Sequence, residues 1–264
     1  MLNALLPSTS RLLQPIIREQ MRFASRKEVE KYMARQMKDP YCVLARTHSY
    51  RARSAFKLLE MDDKLKFLKP NRVILDIGCA PGSWSQVVVE RCKLWPKEEG
   101  NSGYLIGVDL QHLLPIPGAD IMGESDITSP EVHQKIRNKL NNRKVDIILS
   151  DMAHNPVGDT SIDNLRLIQL LRTVYRLFHP LDPASPPSIE LASNGIFMCK
   201  LFDGQETQQF LNELRQRFSK IRILKPGASR ESSSEIYIYC TNPANQDNQK
   251  RARNRAKSTE QPKY

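Results

Sequence analysis

The segment from Val73 to Gln86 constrains the fold more than any other part of the chain. It consists of an apolar run with an acid near its end, a bend framed by two glycines, and an amphipathic stretch. Glycine adopts backbone conformations closed to other residues and lets a ligand approach the main chain. The pattern predicts a buried strand, a glycine-rich turn and the first turn of a helix. The alternative is a strand-to-helix turn whose glycines serve packing alone.

The chemistry of this turn favours a nucleoside over a phosphate group. In open α/β sheets, ligands bind beyond the carboxyl ends of the strands, where this turn would lie. Neither Gly-Lys-Ser/Thr nor Gly-x-Gly-x-x-Gly follows the strand, so a phosphate loop is excluded. An acid at the strand end with a Pro-Gly bend suits a nucleoside that carries a positive charge. S-adenosylmethionine is therefore the cofactor that we expect.

The rest of the chain alternates between strand and helix patterns, which predicts an α/β fold with a mostly parallel sheet covered on both faces. Helices are expected at 25–38 and Tyr50–Leu59, ahead of the sheet. The last two strands are joined by a short polar loop, which predicts an antiparallel pair at one edge. The predicted strands are 72–77, 103–109, 118–122, 144–150, 194–201, 220–225 and 234–241, and the later helices are 83–92, 129–141, 161–178 and 205–218. Two inserts, 93–102 and 179–193, are predicted to be surface loops.

Positive charge is concentrated at the two ends of the chain, whose 264 residues carry a net charge of +11. Residues 1–72 hold 16 Lys and Arg against 7 Asp and Glu, and residues 243–264 hold 6 against 2. The middle, 73–242, is near neutral with 18 against 20. Basic flanks suit a polyanion, because Lys and Arg displace counterions from phosphates. A targeting sequence at one end and a solubilising tail at the other is the alternative.

Composition also predicts the domain boundaries. Residues 1–24 have the arginines, hydroxyl residues and scarcity of acids of an organelle transit peptide, although a surface helix is the alternative. Residues 25–242 then form one domain, and residues 243–264 a disordered basic tail. No apolar run approaches the roughly 20 residues of a membrane span. Five scattered cysteines without a C-x-x-C pair argue against a disulfide framework or a zinc site, and favour a reducing compartment.

Four polar residues follow predicted strands and are candidates for chemistry. Asp109 ends the second strand, where an acid can accept hydrogen bonds from ribose hydroxyls. Asp126, after the third strand, could face an adenine amino group, but it could equally form a turn. Asp151 follows the fourth strand and Lys200 ends the fifth, so both would lie at the edge that holds the glycine turn. Singly, each of the four also fits a structural role such as a helix cap or a surface side chain.

Five motifs in order resemble the FtsJ-type ribosomal RNA 2′-O-ribose methyltransferases, in particular the mitochondrial members that modify large-subunit ribosomal RNA. The resemblance implies a Rossmann-like S-adenosylmethionine-dependent methyltransferase fold with a seven-stranded, mostly parallel sheet. It covers most of the chain from about Tyr50 to Cys240. The motifs are Arg51-Ala-Arg-Ser-Ala-Phe-Lys57-Leu, Asp76 to Gln86, Leu149-Ser-Asp-Met-Ala-His-Asn155, Phe197-Met-Cys-Lys-Leu-Phe202, and Lys225-Pro through Ser234-Glu-Ile-Tyr237.

The resemblance also implies the site residues. The family's catalytic Lys-Asp-Lys-Glu set falls on Lys57, Asp151, Lys200 and Glu235. Its cofactor positions fall on Gly78, Ala80, Pro81, Gly82, Trp84, Asp109, Asp126 and, again, Asp151. Two departures are local: His154 stands where many relatives have proline, and Glu124-Ser125 precede Asp126 where bacterial relatives have Gln-Gly.

The expected reaction is methyl transfer from S-adenosylmethionine to a ribose 2′-hydroxyl, most simply of a uridine, in large-subunit ribosomal RNA of the mitochondrial matrix. A ribose hydroxyl is a poor nucleophile, so the enzyme must align the reacting atoms and remove one proton. Lys200 is expected to be the base, with Lys57 as the nearby cation, and Asp151 and Glu235 to orient the two lysines. No metal is expected. The candidate phosphate contacts are Lys27, Lys31, Arg35, Arg51 and Arg53.

Three alternatives stay open. The same chemistry could act on a transfer RNA or an mRNA cap. The protein could instead act mainly as a ribosome-assembly factor, through binding. A small-molecule methyltransferase fits worst, because it leaves the basic flank and the paired lysines unexplained.

Overall fold

Alternating strands and helices run through the described part of the chain, as the sequence predicts. The computed structural model describes residues 39–153, 160–182, 184–230 and 233–243. The strands are β1 (Val73–Ile77), β2 (Tyr104–Val108), β3 (Asp120–Met122), β4 (Val145–Ser150), β5 (Leu191–Phe202), β6 (Phe218–Leu224) and β7 (Glu235–Pro243). The helices are α1 (Pro40–Thr47), α2 (Ala55–Leu65), α3 (Ser83–Arg91), α4 (Pro130–Leu140), α5 (Thr160–Phe178) and α6 (Gln205–Arg217).

The seven strands form one sheet in the order β3-β2-β1-β4-β5-β7-β6. The first five strands pair in parallel, whereas β7 is antiparallel to both β5 and β6. The order reverses between β1 and β4, which is the switch point beyond which open α/β sheets bind ligands. The predicted mostly parallel sheet and the antiparallel pair at its edge are both confirmed.

Apolar side chains cover both faces of the sheet, because successive residues of a strand point to opposite sides. On one face, Ile74, Leu149 and Met198 pack with Leu58 of α2 and with α3. On the other face, alternate residues of the same strands pack with α4, α5 and α6. The sheet is therefore held in place by packing on both faces, and α2 and α3 lie on one of them.

Two differences from the predicted elements lie ahead of the sheet. Helix α1 was not expected; it begins after Asp39, whose carboxylate accepts a hydrogen bond from the backbone N–H of Tyr41, with Pro40 in the first turn. The helix predicted for Tyr50–Leu59 begins later, at Ala55, and continues to Leu65. The predicted start was wrong: Arg51 contacts the glycine turn and the β2–β3 connection, and the backbone oxygen of Ser54 accepts a hydrogen bond from the Trp84 indole.

Several predictions fall outside the described residues: the transit peptide 1–24, the helix at 25–38, the tail from residue 244 onward, and His154. They stay predictions. Among the helices of the described ranges, none has the length and apolar character needed to cross a membrane.

Candidate active site

The candidate catalytic side chains lie on one face of the sheet, at its carboxyl edge. Asp151 follows β4 two residues after Leu149, and Lys200 stands two residues after Met198 on β5. Residues two apart on a strand point the same way, and both apolar residues face α2 and α3. Strand alternation therefore directs Asp151 and Lys200 to the same side as the glycine turn.

Lys200 and Asp151 form an ion pair that a tyrosine completes. The Lys200 Nζ lies 3.1 Å from Oδ1 of Asp151 and donates a hydrogen bond to the Asp151 backbone oxygen at 2.8 Å. The Tyr237 hydroxyl donates to the same Oδ1 at 2.8 Å. The Lys200 and Asp151 side chains are only 10% and 17% exposed, so water screens the pair weakly. One carboxylate oxygen is thus shared by an ammonium and a phenol.

Lys57 and Glu235 form a second ion pair beside the first. The Lys57 Nζ lies 2.5 Å from Oε1 of Glu235, and both side chains are mostly buried. The same Nζ lies 5.8 Å from the centroid of the Tyr237 ring. Tyr237 therefore borders both pairs: its ring adjoins the Lys57 ammonium and its hydroxyl contacts Asp151.

The pairing of β5 with β7 explains how residues from opposite ends of the domain meet. Because the two strands are antiparallel, the first residues of β7 lie beside the last residues of β5. In the register, Tyr237 is opposite Lys200 and Glu235 is opposite Phe202. Helix α2 presents Lys57 to this edge from the covered face. The structure thus brings the four predicted catalytic residues together as two neighbouring pairs.

The glycine turn has the backbone geometry that its sequence predicts. Gly78 and Gly82 have φ angles of +74° and +107°, in the left-handed region that favours glycine. A Cβ on Gly78 would lie 2.3 Å from Cγ of Met152, and one on Gly82 would lie 2.7 Å from Cδ1 of Ile116. The turn can therefore pass between β1 and the neighbouring loops only with glycine at both positions.

Asp109 ties this turn to the end of β2. Its Oδ2 accepts a hydrogen bond from the backbone N–H of Ala80 at 2.8 Å, and its Oδ1 accepts one from Gln111 at 2.8 Å. A carboxylate oxygen can accept more than one hydrogen bond, so both oxygens of this half-buried acid keep capacity for ribose hydroxyls. The position is the one expected of a nucleoside-binding acid.

Asp126 and Trp84 are engaged in other contacts. Asp126 is exposed and its Oδ1 accepts hydrogen bonds from the backbone N–H and the hydroxyl of Thr128, which is the turn that the sequence left open as an alternative. The Trp84 indole is buried, donates to the backbone oxygen of Ser54 at 2.9 Å and packs 5.6 Å from the Tyr237 ring. A cofactor contact by either residue stays a prediction. Ala80 and Pro81 remain partly exposed at the turn.

Asp76 is a buried acid at the floor of the site. It is fully enclosed; Oδ2 accepts a hydrogen bond from the Ser85 hydroxyl at 2.7 Å, and Oδ1 has no hydrogen-bond partner among the described residues. The pKa of Asp76 is raised to about 7, mainly by burial; the Ser85 hydrogen bond lowers it, and the negative charges of Asp151 and Asp109 contribute to the rise. The unpartnered oxygen leaves a polar group available beneath the glycine turn.

The predicted phosphate contacts fall into two groups. Lys27, Lys31 and Arg35 lie outside the described residues. The Arg51 guanidinium donates to the backbone oxygens of Pro81, Leu114 and Pro115 at 2.9–3.1 Å. Arg53 contacts the Asp39 carboxylate and the backbone oxygen of Ala228. The guanidinium groups of Arg51 and Arg53 thus hold protein groups, and their contact with phosphate stays a prediction.

Sequence reasoning missed Tyr237 and the contacts that Arg51 makes within the protein. Tyr237 lies in an alternating strand, where a tyrosine is typical of a half-buried face, and only the register with Lys200 shows its role. Arg51 was expected to contact phosphate, whereas it joins the glycine turn to the loop after β2. The single available signal was its place beside Lys57 in one motif.

Comparisons with known proteins agree with this geometry. The chain is 51% identical over 218 residues to rRNA methyltransferase 2, mitochondrial, of Caenorhabditis elegans, a match that covers 83% of this chain and 96% of the relative. It is 36% identical over 212 residues to the ribosomal RNA large subunit methyltransferase E of Francisella tularensis, covering 80% of this chain and 95% of that protein.

A solved structure and a family pattern match the same region. The crystal structure described as a ribosomal RNA methyltransferase of Plasmodium falciparum superposes with a TM-score of 0.62 at 32% identity, over 74% of this chain and 98% of that one. The pattern of the FtsJ-like methyltransferases matches residues 50–243, which include all four candidate catalytic residues. The chain belongs to the family of FtsJ-like methyltransferases.

Proposed function

We propose that the protein transfers the methyl group of S-adenosylmethionine to the 2′-hydroxyl of a uridine ribose in mitochondrial large-subunit ribosomal RNA, and that this step supports ribosome assembly. The observation that carries the proposal is the pair of lysine–carboxylate contacts around Tyr237. A small-molecule site has no evident need for two buried lysines. The relatives' names, which specify ribosomal RNA and in one case mitochondria, support the choice of substrate and compartment.

The residues of the glycine turn fit S-adenosylmethionine. The positive-φ glycines expose the main chain, Asp109 retains acceptor capacity for a ribose, and Asp151 supplies negative charge. Gly78, Ala80, Pro81 and Gly82 would line the nucleoside, with Asp109 on the ribose and Asp126 toward the base. When bound, S-adenosylmethionine supplies an electrophilic methyl group on a positively charged sulfur.

The protein's own task is to hold the RNA hydroxyl in line and to remove its proton. The ribose oxygen would take the methyl group that the cofactor supplies, and the hydroxyl proton would pass to a side chain of the protein. In this proposal Lys200 accepts the hydroxyl proton, because its Nζ lies at the carboxyl edge, where two oxygens of Asp151 hold it. Lys57, held by Glu235, is the neighbouring cation.

The carboxylates orient the lysines. Asp151 fixes the Lys200 Nζ through two acceptors, its side chain and its backbone oxygen. Glu235 fixes the Lys57 Nζ from the start of β7. Holding the reacting groups within hydrogen-bond distance removes the entropic cost of bringing them together, which the same reaction in solution would include.

Mapping of ribose methylation in mitochondrial RNA tests the proposal. Cells with wild-type protein, with Lys200→Ala and with Lys144→Ala are compared; Lys144 also forms an ion pair, with Glu190, but at the amino end of β4. We expect one large-subunit 2′-O-methyl site to disappear with Lys200→Ala and to persist with Lys144→Ala. Calorimetry should show that Lys200→Ala still binds S-adenosylmethionine.

Other results would favour the alternatives. An unchanged ribosomal map, with ribosome assembly still dependent on the protein, would replace catalysis by an assembly role. Loss of a site in a transfer RNA or an mRNA cap would keep the chemistry and change the substrate.

A further inference from the structure

Strand β6 is an edge of the sheet, and one of its faces is exposed and basic. Lys220 and Arg222 are exposed and stand two residues apart, so both point to the face that α2 and α3 cover elsewhere. In the register they are opposite Thr241 and Tyr239 of β7. Lys225 follows the end of the strand and is exposed as well.

The direction of β6 aligns these three cations with the active site. Since β6 and β5 are both antiparallel to β7, they run in the same direction, and β6 ends at the carboxyl edge. Its last residue, Leu224, is opposite Tyr237, which contacts Asp151. At about 3.3 Å per residue, the row from Lys220 to Lys225 extends roughly 17 Å and ends beside the two lysine–carboxylate pairs.

None of the three cations is neutralised within the described part of the chain. Lys220, Arg222 and Lys225 form no ion pair with any described residue. Two acids of α2 lie near this part of the molecule and are engaged elsewhere: buried Asp62 accepts hydrogen bonds from the backbone N–H groups of Phe67 and Leu68, and Glu60 accepts one from that of Ala228. The row therefore presents uncompensated positive charge to solvent.

Charges on an edge strand can also prevent edge-to-edge association of sheets. Charges of either sign would serve that role, and they would not need to lie near the carboxyl edge of the sheet. A row of positive charges that ends beside the candidate catalytic residues is complementary to a more specific partner, the negatively charged backbone of a nucleic acid.

We propose that Lys220, Arg222 and Lys225 form a phosphate-binding row for the RNA segment that flanks the target nucleotide. This inference rests on the proposed RNA substrate. The row positions the strand and carries no sequence information, because phosphate contacts are the same at every base. It gives the RNA a second attachment, separate from the basic N-terminal segment.

Charge reversal tests phosphate binding by the row and leaves β6 charged, so that protection against edge-to-edge association is kept. In Lys220→Glu/Arg222→Glu the edge remains charged while the row repels phosphate. Lys135→Glu on α4 is the control, since Lys135 is exposed on a helix that packs on the opposite face of the sheet. Binding of mitochondrial large-subunit ribosomal RNA, transcribed in vitro, is measured over a range of salt concentrations for each variant and the wild type.

The double variant is expected to bind this RNA at least tenfold more weakly at low salt. Its plot of log K against log salt should become less steep by about 1.4, at roughly 0.7 for each lost contact with a single strand. Lys135→Glu should match the wild type, and all proteins should bind S-adenosylmethionine equally in calorimetry. Wild-type RNA affinity and slope in the double variant would overturn the row alone, whereas a wild-type protein that neither binds nor methylates the RNA would overturn the proposed function as well.

Discussion

The hydroxyl of Tyr237 lies 2.8 Å from Oδ1 of Asp151 and donates a hydrogen bond to it, on the same oxygen that faces the Lys200 ammonium. Burial raises the pKa of Tyr237 well above its usual value, so the phenol stays protonated and acts as a donor over the whole working pH range. The tyrosine therefore helps to fix the carboxylate against which Lys200 is positioned.

Tyr237→Phe should lower kcat about tenfold, which corresponds to about 1.4 kcal/mol of transition-state stabilisation. The ring would still pack against Trp84, so the fold and S-adenosylmethionine binding should be unchanged. Single-turnover methylation measures the effect. Tyr239→Phe is the matched control, because this tyrosine is on the same strand and face without contact to Asp151. Equal rates for the two variants would contradict the assignment.

Lys57 and Glu235 should be energetically coupled in a double-mutant cycle of unfolding. Removing one member of a mostly buried pair leaves an uncompensated charge, which typically costs about 3–5 kcal/mol. Lys57→Met and Glu235→Gln should each lower the free energy of unfolding. The double variant should lower it by less than the sum of the two single losses. Denaturant unfolding gives the three values. Strict additivity would mean that the 2.5 Å contact contributes nothing to the link between α2 and β7.

Arg51→Ala should weaken cofactor binding more than RNA binding. The guanidinium joins Pro81 of the glycine turn to Leu114 and Pro115, so its loss frees one wall of the nucleoside site and leaves three carbonyls without this donor. We expect a rise of about tenfold in the Kd for S-adenosylmethionine, since each net hydrogen bond contributes about 1 kcal/mol and the three bonds act together.

The control for this change is Arg46→Ala; the Arg46 Nε donates to the backbone oxygen of Cys42, within α1. It should leave cofactor binding intact. If Arg51→Ala instead lowered the salt dependence of RNA binding and left calorimetry with S-adenosylmethionine unchanged, the phosphate contact expected from sequence would be correct.

Asp76→Asn should change how stability depends on pH. The pKa of Asp76 rises from 3.8 in the unfolded chain to about 7 in the folded protein. Between these values the folded state holds a proton that the unfolded state has released, so wild-type stability falls by up to about 1.4 kcal/mol for each pH unit gained. The variant carries no titrating group there and should lose less stability between pH 5 and pH 8.

Unfolding of both proteins at several pH values checks this expectation. Asp63→Asn serves as control: a hydrogen bond from Lys66 lowers the pKa of Asp63, which stays ionised in both states above pH 5. Parallel stability curves for the wild type and Asp76→Asn would contradict the raised pKa.

Local patterns in the sequence predicted most of the fold because the sheet depends on them. Strand alternation and the glycine turn are short-range features, and the positions of Asp151 and Lys200 at the ends of predicted strands placed both at the carboxyl edge. Helix α1 could have been predicted from Asp39 followed by Pro40, an N-cap and first-turn signal. It was missed because eight residues provide little periodicity.

Contacts between distant segments account for what the sequence did not show. Tyr237 owes its role to the register of β5 and β7, which no local pattern specifies. Arg51 owes its role to carbonyl groups of two loops, and backbone carbonyls leave no mark on the sequence. The grouping into Lys57–Glu235 and Lys200–Asp151 likewise needed coordinates, because the resemblance named the four residues without pairing them.

Strand β7 is the last strand among the described residues, yet it lies between β5 and β6, which precede it. It brings Glu235 and Tyr237 to Lys57 and Asp151, which lie far earlier in the sequence. A chain that ended before residue 235 would lack both of these partners. The Lys57–Glu235 pair and the Tyr237–Asp151 hydrogen bond therefore form only after synthesis of the chain has passed residue 237.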